Sequence, residues 1–494
     1  MTYKSLLCMA FCLYACGLCA LGDDFAEFKK EYQGAGYGEK LQILGKIQPD
    51  DKNALKKAAV FLCDPHPKIR QNAINWLAQE KTDAATAEFL VSELIRKKDL
   101  PDYARCSGIS ALGAISAAPQ KSVLIELLND KNHLLRAEAV KTLSASYTGE
   151  DVLGGIRAKL SDPAWQVKTA AIDAVKELAP AELDAKAEEL FKATDFQVRI
   201  AILESCKETS IQITLLKAAF QDPAWQVRAC AIELAAQTGT GPCVEMLVNA
   251  FLTAEGRLKA DLFAALQKAT GKDIGFSPKL WKEWWDIFNK RFEPLKQRRN
   301  DNPLLPISET SAFCGIPVLS RNIIFVFDLS GSMRSETQKN GPVKIDTARE
   351  EMSKVIKSFT KEVKFNIILL GSDSRGNYNK KEKMFEERLI SAADAGKEKA
   401  IKFINRQEPN GWTNLYDAVM LCFEDKDVDT IYLLSDGVPS RGVFVARTDI
   451  IESIKRENRF RKICIHTIKI GSGARGEKLM RELAEITGGT FTAK

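Results

Sequence analysis

Histidine is nearly missing. The chain has three in 494 residues, His66, His133 and His466, and they do not cluster. A zinc centre, built from closely spaced His and Cys ligands, is therefore not expected. Charge of one sign is also scarce: 71 Lys and Arg against 65 Asp and Glu leave a net +6. That is small for this length and gives no concentrated basic face of the kind nucleic acid requires. The densest basic cluster, Lys455, Arg456, Arg459, Arg461 and Lys462, reads as a solvated helix end and loop. No HExxH, Gly-x-Ser-x-Gly or P-loop lysine motif occurs, which speaks against an enzyme. Twelve cysteines suggest a disulfide framework until they are located. Cys8, Cys12, Cys16 and Cys19 fall in the first 22 residues. The other eight are scattered without a CxxC pair, mostly in apolar contexts where a thiol packs as a small hydrophobe. Beyond Gly22 no apolar run approaches bilayer-spanning length.

What is present begins with an address. Lys4 precedes an uncharged, mostly apolar stretch from Ser5 to Gly22, and Asp23-Asp24 follows. This is the layout of a secretory signal over 1–22. A lipid anchor at Cys16 and an uncleaved membrane anchor are the other two readings. All three place the rest of the chain outside the membrane: secreted, periplasmic or at the cell surface.

Residues 23–292 are repetitive. Asp-Pro-Ala-Trp-Gln-Val occurs at 162–167 and again at 222–227. A basic residue heading an Ala-rich apolar run recurs at Arg70, Arg105, Arg136, Lys168, Arg199 and Arg228, at intervals of 35, 31, 32, 31 and 29 residues. A period near 30 with helical patterning means stacked helix pairs. Asp162 and Asp222 suit N-caps, with Pro163 and Pro223 at the first helical position, and Asp64-Pro65 repeats that start. Val167, Ala171, Ala174 and Val175, then Val227, Ala231 and Leu234, make one apolar stripe per helix. Ser277-Pro278 opens a helix crowded with Trp281, Trp284 and Trp285, suited to sealing the open end of the array. This segment resembles HEAT-type repeats, about six units of them. The resemblance implies an α-solenoid, serving as a scaffold or offering its surface to a second protein.

From Glu293 to Ser320 periodicity stops, and four prolines mark a linker. From Arg321 to Lys494 strands and helices alternate. Ile323–Phe327, Phe365–Leu370, Thr430–Leu434 and Ile463–Ile470 have strand length. Amphipathic stretches such as Lys344–Thr360, Lys397–Asn405 and Glu477–Ile486 lie between or after them. Such alternation argues a parallel sheet covered by helices on both faces. Gly488 to Thr492 suits one short last strand.

The most informative stretch is Asp328-Leu329-Ser330-Gly331-Ser332, directly after the first apolar strand. Gly331 gives the tight turn its freedom. Thr413, in Gly411-Trp412-Thr413-Asn414, and Asp436, after the strand ending at Leu434, can join it at the carboxyl ends of the strands, where open α/β sheets bind ligands. Asp328, Ser330, Ser332, Thr413 and Asp436 form an all-oxygen set with two formal charges, suited to a hard divalent cation. Mg²⁺ fits best, and Mn²⁺ or Ca²⁺ would also suit. Ser435, Asn414 and Asp417 read as hydrogen-bonding supports of the loops.

These five residues, in this order, resemble the metal-ion-dependent adhesion site of von Willebrand factor A domains. The resemblance implies a doubly wound, Rossmann-like domain over 321–494. It also implies direct coordination by Ser330, Ser332 and Thr413, aspartates that often act through water, and binding of a protein partner whose Asp or Glu completes the shell. The expected function is that of an exported, non-catalytic binding or assembly protein. The alternatives are a metal-dependent hydrolase or partner of an ATPase complex, and a nucleic-acid-binding solenoid.

Overall fold

The computed structural model describes residues 23–81, 83–115, 121–206, 209–295, 311–371, 378–472 and 474–494. The leader at 1–22 and most of the linker, 296–310, lie outside these. The chain separates into two compact units, Met1–Gln212 and Ile213–Lys494. Among the described residues no helix is long and apolar enough to cross a membrane.

The first unit is an array of helices. Neighbouring helices Asp102–Ala114, His133–Ser146, Trp165–Leu178 and Phe196–Ser205 pack side by side. Shorter helices alternate with them. The Val167, Ala171, Ala174 and Val175 stripe is buried as the pattern requires, and small alanines let the helices approach closely.

The helix starts differ from expectation. Asp162 is not the N-cap: the helix begins at Trp165 with Ala164 in that place. Asp162 Oδ1 instead accepts from the Ala164 amide at 2.9 Å, an Asx turn that holds Pro163 inside it. Asp64, Asp130 and Asp222 do the same for the amides two residues on. The recurrent arginine closes the same turn from the other side. Arg70 Nη1 donates to the carbonyls of Asp64 and Pro65. Arg136 reaches Asp130 and Lys131, and Arg199 reaches Ala193 and Thr194. Arg228, in the second unit, repeats this with Asp222 and Pro223. Arg136 also forms a two-pronged pair with the buried Asp162 carboxylate, at 2.8 and 2.7 Å. Turn carbonyls that precede a helix thus find charged donors, each bond worth about 1.5–3 kcal/mol. Arg105 departs from the rule and donates to Ile95 O.

The second unit joins further helices to a six-stranded sheet. Helices Trp225–Thr238, Gly241–Thr253, Gly256–Thr270 and Pro278–Phe288 open it. Ser277 caps the last of these through the Leu280 amide, and Trp281 and Trp285 are buried, packed on Gly241–Thr253. Part of the span read as linker is folded. Strands β1 (Ala312–Phe313) and β2 (Ile316–Pro317) form a hairpin, because Phe313 has a place to fill against Phe325 and Tyr432.

The sheet contains β3 (Asn322–Asp328), β4 (Lys364–Leu370), β5 (Ile390–Ser391), β6 (Thr430–Ser435), β7 (Cys464–Lys469) and β8 (Phe491–Ala493). Their order is β5-β4-β3-β6-β7-β8. Every pair is parallel except the short edge strand β5, which runs antiparallel to β4. Apolar side chains line both faces. Phe325 and Phe327 point to one core with helices Lys344–Ser358 and Asp394–Asn405. Ile324 and Val326 point to the other, with Leu415–Cys422, Arg447–Asn458 and Glu477–Ile486. The fold is thus an α-helical solenoid followed by a doubly wound α/β domain. The chain leaves β3 for β4 on one side and later for β6 on the other. The crevice between the ends of β3 and β6 is the switch point where such sheets bind ligands.

Helix Gly256–Thr270 contacts the opposite, amino ends of the strands. Arg257 Nη1 donates to the carbonyls of Asp429, at 3.0 Å, and of Lys462, while its Nε faces Asp261 at 3.1 Å. His466 lies nearby, stacked on Tyr432. Its Nδ1 accepts from the Thr490 amide at 3.0 Å, which requires a neutral ring. Burial first, and the Arg257 charge second, lower its pKa to about 3.

Candidate functional site

Asp328 is the last residue of β3 and is wholly buried. Its Oδ1 accepts from the Ser330 amide at 2.7 Å, and its Oδ2 accepts from the Ser435 hydroxyl at the end of β6. The expected support from Ser435 is therefore direct. Residues Gly331–Arg334 then turn in a single 3₁₀ winding. That winding brings the Ser330 and Ser332 hydroxyls to 2.9 Å. Gly331 is not left-handed. The glycines that the loops need for that conformation are Gly411 and Gly437, at φ 74° and 103°.

The second loop is tied to the first through its backbone. Asn410 N donates to Leu329 O at 2.7 Å, and Gly331 N donates to Gly411 O at 3.2 Å. Thr413 follows and is buried. Its amide donates to Ser440 Oγ, and its carbonyl accepts from the Ser440 and Arg441 amides. Its own hydroxyl bonds to none of the described residues. Asn414 caps helix Leu415–Cys422 through the Asp417 amide and also donates to the Asp417 carboxylate. Asp436 sits one residue past β6. The fold thus brings Asp328, Ser330, Ser332 and Asp436 to the switch point and anchors the Thr413 loop beside them.

The two carboxylates repel. Burial first, and the negative Asp436 second, push the Asp328 pKa up to about 6. A cation between them would relieve both causes. Among the described residues no group of three or more His, Cys, Asp and Glu is placed to hold a metal ion. Two carboxylates with three hydroxyls fit a hard cation. The serine spacing fits as well. Ligands about 2.1 Å from an octahedral Mg²⁺ stand about 2.9 Å from one another.

Two features of the site escaped the sequence reading. Lys344, first residue of its helix, places Nζ 3.1 Å from Asp436 Oδ2. Lys469 is buried at the end of β7, with Nζ on Gly471 O at 3.0 Å. A lone charge within the apolar run Ile463–Ile470 was the available signal. Ser332, Asp436, Lys344 and Lys469 line one cleft of about 800 Å³. Thr413 lies outside its lining. Trp412 and Val438, both more than 40% exposed, stand beside the site, and Arg441 stacks on the Trp412 ring at 5.0 Å.

Residues 321–493 match the von Willebrand factor type A domain, and this part of the chain is such a domain. Inter alpha-trypsin inhibitor heavy chain 4 of Mus musculus is 30% identical over 139 residues, covering 26% of this chain and 13% of that protein. The human von Willebrand factor A domain-containing protein 3A is 22% identical over 175 residues, covering 35% of this chain and again 13% of the relative. The chain thus spans a small part of these relatives' length. A solved von Willebrand factor type A structure from Catenulispora acidiphila aligns with 36% of this chain and 39% of its own, at 18% identity and a TM-score of 0.27.

Proposed function

We propose that this chain is an exported, non-catalytic binding protein. In this reading its von Willebrand factor type A domain holds a divalent cation, Mg²⁺ above all, through Asp328, Ser330, Ser332, Thr413 and Asp436. A protein partner supplies an Asp or Glu carboxylate as the remaining ligand. The helical array, read as HEAT-type repeats, is the scaffold. One observation carries the proposal: two mutually repelling carboxylates and a pair of touching serine hydroxyls meet at the switch point of the sheet. When bound, the cation would supply positive charge and an open coordination position. Asp328 and Asp436 balance that charge, Ser435 orients Asp328, and the Gly411–Thr413 loop closes the side. Export rests on the leader at 1–22.

Hydrolysis would need a base poised near the site. His466 belongs to the opposite end of the sheet and is spent on the Thr490 amide, which favours binding over catalysis. The solenoid arginines 70, 136, 199 and 228 are committed to their own turns, which weakens a nucleic-acid reading.

Calorimetric titration of the full chain with Mg²⁺ and Mn²⁺ tests the proposal. Wild type should give one site, and Asp436→Ala should lose about a hundredfold or more in affinity. A partner captured by wild type should be released by EDTA. Equal capture with and without EDTA would sink the metal-dependent reading.

A further inference from the structure

We infer that the cleft beside the site is a docking groove for a run of acidic residues in the protein partner. It would extend recognition beyond the one carboxylate at the cation, and it rests on the carboxylate-recognising reading of that site. The cleft of about 800 Å³ opens at Ser332 and Asp436 and carries six charged side chains. Four are basic, Lys339, Lys344, Lys469 and Arg475, against two acids, Glu336 and Asp436.

The acids are already engaged. Asp436 faces Lys344, and Glu336 accepts from the Asn340 amide at 2.9 Å. Among the described residues, Lys339, Lys469 and Arg475 form no ion pair. Lys339 and Arg475 are exposed, where an unpaired charge costs little. Lys469 is different. It is 4% exposed, and its ammonium, with three protons to donate, meets a single carbonyl. A buried ammonium without a counter-charge is destabilising. A carboxylate lying in the cleft would supply that counter-charge.

The surroundings favour a polypeptide over a small anion. Trp412, Val438 and the stacked Arg441 flank the same loops, and exposed Trp and Arg are the side chains that anchor protein interfaces. An acidic segment would therefore place one carboxylate at the cation, others along Lys469, Lys339 and Arg475, and its apolar neighbours on Trp412.

The test uses the full chain and two fluorescein-labelled peptides, hexaglutamate and a glycine hexamer carrying one glutamate, each in Mg²⁺ and in EDTA. Hexaglutamate should bind about tenfold or more tighter in Mg²⁺. Lys469→Gln should erase that advantage. The exposed Lys339→Gln/Arg475→Gln double variant, which removes no buried contact, should lower the advantage severalfold. If the advantage is absent, or neither variant reduces it, the groove is overturned even where EDTA still abolishes single-glutamate binding. If hexaglutamate binding survives EDTA and yields to the variants, the groove stands and the cation reading fails. Displacement of hexaglutamate by equimolar inorganic phosphate would also overturn it, marking a small-anion site instead.

Discussion

The repeat arginines and the charges around the switch point are treated in opposite ways. In the helical array the repeat arginines, Arg105 apart, are answered within their own turns. Arg70, Arg136, Arg199 and Arg228 reach back five and six residues to carbonyls that would otherwise lack donors. Arg136 also satisfies the next repeat's Asp162. At the switch point compensation is left incomplete: Asp328 and Asp436 repel, and Lys469 is buried against one carbonyl. Charges that close their own circuit hold a fold together. Charges that stay open are held by the fold for something else. Three members of the densest basic cluster in the sequence also have partners: Arg461 donates to Asp425 O, Lys462 faces Glu233 and Arg456 pairs with Glu457.

The largest effect should come from breaking a closed circuit in the second unit. Arg257→Ala would strand the half-buried Asp261 and two carbonyls. It should cost about 3–5 kcal/mol in urea unfolding, and a loss under about 1 kcal/mol would mean that the cluster behaves as a surface pair. Arg136→Ala should cost about 2–3 kcal/mol and leave Mg²⁺ affinity untouched; an altered affinity would mean that the repeat charges act on the switch point.

Asp328→Asn should act with the opposite sign. The raised pKa means that the metal-free fold gains from a proton on Asp328 at low pH and loses that gain as pH rises from about 4 to about 6. At pH 7 in EDTA the variant should therefore be more stable by about 1–3 kcal/mol, while Mg²⁺ binding disappears. A destabilised variant would show that the Ser435 and Ser330 bonds outweigh the repulsion.

The smallest effect is a slope. The His466 pKa is depressed, so its contribution is complete above about 6.5 and is lost as pH falls toward about 3. That group should contribute about 1.4 kcal/mol per pH unit through this range, and His466→Gln should flatten the acid limb of the stability curve. An unchanged limb would mean that His466 protonates without cost.

Strands and helices were legible because each rests on a short stretch of chain. Alternating apolar runs place β3, β4, β6 and β7 to within a residue or two, and the Asp-x-Ser-x-Ser loop is contiguous. Caps were less legible. An Asp-Pro pair reads equally as a helix start or as the Asx turn before one, and only the path of the following residues separates them. Phe313 looked like part of a linker because one aromatic among prolines carries no period.

The sequence by itself determined a helical repeat followed by an α/β domain, because periodicity is a property of neighbouring residues. Only the tertiary structure decided which charges are spent and which are left over. Lys344 finds Asp436 across 92 residues, and Arg257 finds Lys462 across 205. Electrostatic compensation acts through space, so a chain read in order cannot show that Lys469 ends its strand without a carboxylate to meet among the described residues.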